Sequence, residues 1–498
     1  MLSNIIIDYF SFVSQMITLM IVSCVIFIPL FALLTLFLRY WIHNRSKFLL
    51  PHLKQNEDGR STTVIGFFHP YCNDGGGGER VLWTAIKAIQ NQYSDVKCLI
   101  YSGDVDVTGP DILQRVVQRF NIVIPRQVEF VFLKRRKWVE ANKYPIFTLL
   151  GQSLGSIILG WEALLLYVPD VYIDTMGYAF TIPLFRYFGG CKVAAYVHYP
   201  TISTDMLEKV SQRTLSHNNA GFISRSPIFS SIKIVYYKLF AYMYGFAGKR
   251  CDVIMVNSTW TYGHINQLWQ VPDQTCIVYP PCDVSEFIKI PLEARIASDT
   301  KNIISVAQFR PEKDHPLQVK AFHQFLQSIP EDERDKYKLF LVGSVRNIGD
   351  AKLVESLKDL CRKLDIMQSV EFKLNVTFEE LKNLLANSVI GLHTMWNEHF
   401  GIGVVECMSA GTVILAHNSG GPKMDIVTPF EDNPSGFLAD SIDTYATAMK
   451  EIFYMTPDQR MSIRKNARKS ADRFSEDSFK EKFINNIDRL IKDVACNK

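Results

Sequence analysis

Between Asp8 and Arg39 the chain runs through thirty residues without a formal charge, including MITLMIVSCVIFIPLFALLTLFL. A helix needs about 20 apolar residues to cross the hydrocarbon core of a bilayer, so this stretch predicts a membrane anchor within residues 1–45. A cleaved export signal has a shorter apolar region behind a basic start and ends on small residues. Here only Asp8 precedes the apolar run, which predicts an uncleaved anchor. Arg39, Arg45 and Lys47 follow it, and cationic flanks stay on the cytosolic side; a single pass with the bulk of the chain in the cytosol is expected. The ten scattered cysteines, with no CxxC pair, suit a reducing compartment. The Asn-x-Ser/Thr triplets at Asn44, Asn257 and Asn375 would accept glycans only in the opposite orientation.

The whole chain has 498 residues of ordinary globular composition, and the part beyond the anchor calls for about two domains. From Thr62, short β-branched runs alternate with helical patterns: TTVIGFF, KCLIYSG, DVYIDTM, KVAAYVHY and DVIMVNS. A polar, Pro-containing stretch from Ile277 to Lys301 breaks the rhythm and reads as a connection. A second series follows, with NIISVAQF, KLFLVGS, SVEFKLNV, SVIGLHTM and TVILAHN as strands. The expected fold is α/β: two Rossmann-like doubly wound domains, over 60–290 and 300–470, facing a cleft. Residues 471–498 are expected as a helix at the domain junction. Two further apolar segments, from Pro145 (preceded by Lys134, Arg135, Arg136 and Lys137) and from Ile232, are expected as buried helices or as helices dipping into the membrane interface. A net charge of +4 is too small and too dispersed for nucleic acid as a main partner.

Ligands of doubly wound sheets collect at the carboxyl ends of strands, and three motifs fall there. In FFHPYCNDGGGGERVLW a strand runs into Gly75, Gly76, Gly77 and Gly78 and then a helix, so backbone amides and a helix start can approach a diphosphate or a sugar hydroxyl. The string is neither GxGxxG nor a loop ending in Gly-Lys-Ser/Thr, which disfavours dinucleotide oxidoreductases and ATPases. In SVAQFRPEKDHPLQ, Arg310 and Lys313 can offset the charge of a departing nucleoside diphosphate. In TMWNEHFGIGVVECMSAGTVILAHNSGGPKMDIV, Glu398 and Glu406 stand eight apart around Gly401, Ile402 and Gly403. Glu398 is expected to face the cleft, and Glu406 to point from a helix toward vicinal ribose hydroxyls. Asp104 and Asp106 form an Asp-x-Asp pair, but in YSGDVDVTG they read as a turn, and no metal or other cofactor is expected.

These strings, with YIDTMGYAF, YVHYPTISTDM and VYPPCDV, resemble the retaining GT-B glycosyltransferases of family four from about Thr62 to Val427, and among them the mannosyltransferases of asparagine-linked glycosylation. The resemblance implies GDP-mannose as donor and a trimannosyl-chitobiosyl diphosphodolichol acceptor, a dolichol-diphosphate-linked oligosaccharide. It also implies addition of the fourth and fifth mannoses in α-1,2 linkage at the cytosolic face of the endoplasmic reticulum membrane, beside other mannosyltransferases of the pathway. It places Glu398 at the transferred sugar, Glu406 at the ribose, Gly76, Gly77 and Gly78, with Gly401 and Ile402, at the donor, Lys313 at the diphosphate and His198 near the transferred sugar. The arginine that usually lies five residues before the lysine is Gln308 here, with Arg310 as its substitute, and Asp74 stands where a small residue is expected. No carboxylate nucleophile is evident, so same-face attack assisted by the leaving diphosphate is implied. The competing readings are a lipid-linked transferase using UDP-N-acetylglucosamine and a noncatalytic sugar-nucleotide-binding subunit.

Overall fold

The computed structural model describes residues 2–54, 61–203, 206, 227–292 and 301–496. Of the expected connection, residues 293–300 lie outside this set, as do Thr204 and Asp205 of YVHYPTISTDM. The first sheet comprises β1 (Thr63–Phe68), β2 (Val96–Ser102), β3 (Val128–Phe132), β4 (Val171–Asp174), β5 (Lys192–Val197), β6 (Val253–Val256) and β7 (Thr275–Ile277), in the order β3-β2-β1-β4-β5-β6-β7. The second comprises β8 (Lys301–Val306), β9 (Tyr337–Gly343), β10 (Val370–Leu374), β11 (Ile390–Leu392), β12 (Val413–His417) and β13 (Phe437–Ala439), in the order β10-β9-β8-β11-β12-β13. Every pairing is parallel. Helices cover both faces of such a sheet, which is why its central strands read as unbroken apolar runs; all six residues of β1 are buried.

The two doubly wound domains agree with the expected class. Three strands escaped the sequence reading, and each gives a weak signal: β7 and β13 are three-residue edge strands, and β3 mixes buried with half-buried positions. The strand order reverses between β1 and β4 in one sheet and between β8 and β11 in the other. These two switch points leave crevices at the carboxyl ends of the strands, where ligand-binding side chains gather.

The helix Glu476–Cys496 lies on the first sheet: Phe479, Phe483, Ile487, Leu490 and Ile491 share a core with Ile65, Ile173, Ala194 and Tyr196. Its apolar residues recur every three or four positions and need one broad face, which the sheet offers and a narrow junction does not. Tyr93 donates to Asp488 at 2.7 Å and Lys192 pairs with Asp493 at 3.0 Å, fixing it there. At the other end, one helix spans Leu2–Leu49, and its Ser14–Ser46 portion is long and apolar enough to cross a membrane. Its basic end docks on the first domain. Ile42 is buried, His43 Nε2 lies 2.7 Å from the Gly189 carbonyl, and Ser46 Oγ accepts from the Val168 amide at 3.0 Å.

Candidate active site

At the switch point of the second sheet, the turn after β8 carries Lys313 and the loop after β11 carries Glu398. The Thr394 hydroxyl donates to the Lys313 carbonyl at 2.9 Å, tying the two loops together, and the Lys313 ammonium forms an ion pair with Glu398 Oε2. His393, the first residue beyond β11, places Nε2 3.1 Å from the same oxygen; a carboxylate only accepts, so this nitrogen carries the proton. Burial works against the charge of Glu398, but His393 and Lys313 hold its carboxyl well below the usual carboxylate range. The backbone of this loop is held just as firmly. Asn397 has φ +50° and donates its amide to Ser419 Oγ at 2.7 Å, and Gly421 donates to the Glu398 carbonyl at 2.7 Å. Gly401, at φ +114°, turns the chain into the helix Ile402–Ser409 that bears Glu406.

Facing these groups are the strand ends of the first sheet. Gly76 precedes the helix Gly77–Gln92 and its amide donates to Glu79 Oε2 at 2.6 Å. None of the four loop glycines has positive φ. Their smallness serves close approach instead: a Cβ on Gly77 would lie 2.6 Å from Ile402 Cδ1 of the opposite domain, and one on Gly78 would lie 3.5 Å from His198 Nε2. Asp74 beside them is exposed. His198, just past β5, donates from Nε2 to the Thr175 carbonyl at 3.2 Å; burial and the neighbouring His69 push its pKa down to about 4, so the ring is neutral at physiological pH and Nδ1 is free to accept.

Glu406 faces Arg80, from the helix after the glycine loop, and Asp283, which pair with each other at 3.3 Å. Burial, with Asp283 adding to it against Arg80, raises its pKa to about 7. Tyr199 stacks on His399 across the cleft at 5.2 Å between ring centres, and Trp260 approaches the same imidazole at 5.0 Å. Thr259 Oγ1 and Tyr279 donate to the buried Asp425, a further link between the domains. The structure thus brings Gly76, Gly77, Gly78 and His198 opposite Lys313, Glu398, Gly401, Ile402 and Glu406. Arg310 begins the turn that carries Lys313, whose amide donates to the Arg310 carbonyl at 3.1 Å; its side chain is exposed, with a 3.9 Å approach to Glu312.

Asp104 accepts from Arg136 and from the Asn73 amide at 3.1 Å, which makes it a brace at the base of the glycine loop. No group of three or more metal-ligating side chains occurs among the described residues. A cavity of about 360 Å³ lies at the opposite, amino-terminal ends of β5 to β7, lined by Lys192, Asp252, Thr275 and Arg489 among others. Strand-end geometry and the converging charges both favour the cleft over that cavity as the reactive site.

Residues 62–269 match the family model for the ALG11 mannosyltransferase N-terminus, and residues 287–470 match that for glycosyl transferases group 1. A curated relative from Xenopus laevis, GDP-Man:Man(3)GlcNAc(2)-PP-Dol alpha-1,2-mannosyltransferase, is 54% identical over 94% of this chain and 94% of its own. The chain belongs to the ALG11 mannosyltransferase family. Family members of the same name from Homo sapiens and Dictyostelium discoideum are 54% and 46% identical, over 88% of this chain in each case and 89% and 86% of theirs. Among solved structures, HepE of Anabaena with UDP and glucose (TM-score 0.57, 14% identity, 85% of this chain and 99% of that one) shares the fold. So does sucrose-phosphate synthase of Thermosynechococcus elongatus (0.61, 14%, 88% and 100%), which confirms GT-B architecture for this ALG11-family chain.

Sequence reasoning singled out neither His393 nor Ser419, Gly421, Arg80 or Asp283. His393 could have been found from its place one residue beyond an apolar run, the ligand edge of a parallel strand. Arg80 and Asp283 meet across about 200 residues of sequence and leave no local trace.

The displaced titration of Glu406 has a measurable consequence. An ordinary glutamate ionises near pH 4.5, whereas Glu406 keeps its proton to about pH 7. The folded chain thus holds a proton that the unfolded chain releases, and Glu406 costs stability increasingly as pH rises through that window. Glu406→Gln removes the cost. Its melting temperature is expected to exceed that of the parent by a margin that widens from pH 5 to pH 8; a margin that stays constant would show that Glu406 titrates normally.

Proposed function

We propose that this protein transfers mannose from GDP-mannose, with retention of configuration, to a trimannosyl-chitobiosyl diphosphodolichol, adding the fourth and fifth mannoses in α-1,2 linkage at the cytosolic face of the endoplasmic reticulum. The observation that carries this reading is the 54% identity, over nearly the whole chain, to relatives named for that donor, acceptor and linkage. In this reading Lys313 and the glycine-loop amides offset the charge of the departing GDP, Glu398 orients the mannosyl hydroxyls and Glu406 binds the ribose. The Glu398 carboxylate is already engaged by Lys313 and His393, which fits a hydroxyl acceptor better than a nucleophile. The acceptor oxygen then attacks from the face that the diphosphate leaves, with the neutral His198 imidazole nearby.

A lipid-linked acceptor requires the cleft to stand close to a bilayer. The helix Pro227–Gly248 exposes Val235, Leu239, Tyr242 and Phe246, four, three and four residues apart on one face. Phe147 meets Tyr236 of that helix at 5.1 Å, and Ile146, Phe147 and Leu154 extend the exposed apolar surface onto the start of the helix Thr148–Leu166. The anchor helix packs against the same Thr148–Leu166 element, so all three can meet one membrane plane. Lys143, Lys238 and Lys249 are exposed around this surface and suit anionic headgroups.

The test is transfer from labelled GDP-mannose to a short-chain trimannosyl-chitobiosyl diphospholipid by the purified full-length protein in EDTA. The product is expected to gain two hexoses, to lose them to an α-1,2-mannosidase, and to form unhindered by excess UDP-N-acetylglucosamine. GDP binding without transfer would overturn the assignment in favour of a binding subunit, and transfer only after adding manganese would overturn the metal-free chemistry.

A further inference from the structure

Three neighbouring strands of the first sheet end in polar residues that touch one another: His69 after β1, Thr175 after β4 and His198 after β5. His69 Nδ1 lies 2.8 Å from Thr175 Oγ1, and its Nε2 donates to Glu79 Oε1 at 3.3 Å. The other oxygen of Glu79 accepts the Gly76 amide at 2.6 Å. The Thr175 carbonyl, in turn, accepts from His198. A hydrogen-bonded chain therefore runs from the glycine loop through Glu79, His69 and Thr175 to His198. The His69 and Glu79 side chains are 0% and 10% exposed, so water cannot replace either partner.

A glutamate in the first turn that reaches back to the residue before a helix is a common end-cap, and on a surface it is worth a modest stabilisation. Here the capped residue is the loop glycine and the cap is buried against a histidine. Burial opposes the charge on Glu79, yet His69 and the Gly76 amide hold its carboxyl below the usual value. The Gly76 amide is engaged internally and the Glu79 amide by its own carboxylate; of the amides that lack a carbonyl partner in the helix at this end, those of Gly77 and Gly78 are left, on the two glycines nearest Ile402 and His198.

We propose that Glu79 and His69 are positioning residues for the transfer reaction: the pair fixes the glycine loop so that the Gly77 and Gly78 amides point at the donor diphosphate, and through Thr175 it sets the orientation of His198. Neither side chain touches the substrate. The inference rests on the reading of this loop as the diphosphate side of the cleft. It deepens that reading by dividing the loop into one structural amide and two binding amides.

The test uses the full-length protein in detergent and two readouts, GDP binding by calorimetry and the donor KM and kcat of transfer. Glu79→Ala is expected to weaken GDP binding and raise the donor KM by about tenfold, with a further drop in kcat as His198 loosens. Glu79→Gln, which can still accept from Gly76, is expected to recover most of the GDP affinity. Should Glu79→Ala fail to fold, Thr175→Val, nearly isosteric and blind to His69, is expected to show a smaller shift in the same direction. Parental GDP affinity and donor KM in folded Glu79→Ala or Thr175→Val, with activity falling only in step with melting temperature, would overturn the proposal and leave the donor-site reading standing. Absence of GDP binding by the parent protein would overturn both.

Discussion

Lys313→Ala is expected to lower the turnover of the purified protein by about a hundredfold or more while the chain stays folded. Removing one fixed electrostatic donor from a transition state costs on the order of 3 to 4 kcal/mol, and each 1.36 kcal/mol is about tenfold in rate. Lys313 is such a donor because its position is set twice, at the backbone by Thr394 and at the ammonium by Glu398. Glu398→Ala is expected to match it, since the loss takes away both the contact to the sugar and the partner that steers the lysine. Because the two act as a unit, the double variant should be scarcely slower than either single one. Single-turnover transfer with melting temperature as the folding control decides this: near-parental rates in either variant would remove these residues from the mechanism, and additive losses would show that they act separately.

Gly421→Ala is expected to reduce transfer by a comparable factor, although residue 421 contributes no side chain to the reaction. A Cβ there would lie 2.6 Å from the Phe400 Cα and 2.9 Å from the His399 carbonyl oxygen, against backbone that cannot swing aside. The turn that donates the Gly421 amide to the Glu398 carbonyl would have to open, and a misplacement of about 1 Å in a positioned group is worth about a hundredfold in rate. GDP binding, shared with the glycine loop, is expected to fall less than transfer does. Gly263→Ala is the control, because a Cβ at that helical position meets nothing within 4 Å. Equal activities of the two variants would show that the 419–421 turn does not hold Glu398 in place.

The fold was legible because parallel strands covered on both faces must be apolar throughout, and β1, β2, β5, β9 and β12 are long enough to show it. The sequence drew attention to Lys313 and Glu398 for a related reason: both follow such runs closely, where a doubly wound sheet presents its ligand edge, and the structure brings the two together as an ion pair. What stayed hidden depends on adjacency in space. His69 and Thr175 are 106 residues apart and meet only because β1 and β4 are neighbours, an adjacency created by the reversal of strand order. The glycine loop was located correctly as a strand-to-helix junction, but its glycines provide close approach to Ile402 and His198, which no local pattern could announce. Arg310, read as the substitute for the missing arginine, is exposed at the same turn as Lys313 and approaches Glu312 at 3.9 Å.

The helix Glu476–Cys496 also sets the order in which the protein can mature at the ribosome. By the time Met255 of β6 has been joined, the central strands of the first sheet have all been synthesised, but the core that covers one of their faces still lacks Phe479, Phe483, Ile487, Leu490 and Ile491. Translation of the intervening residues takes about ten to fifty seconds at typical elongation rates. Through that interval the nascent first domain carries an uncovered apolar face, and the whole second sheet emerges and can fold before the cover arrives. A chain terminated before Glu476 would leave that face of the first sheet without Phe479, Phe483, Ile487, Leu490 and Ile491, however complete the second domain.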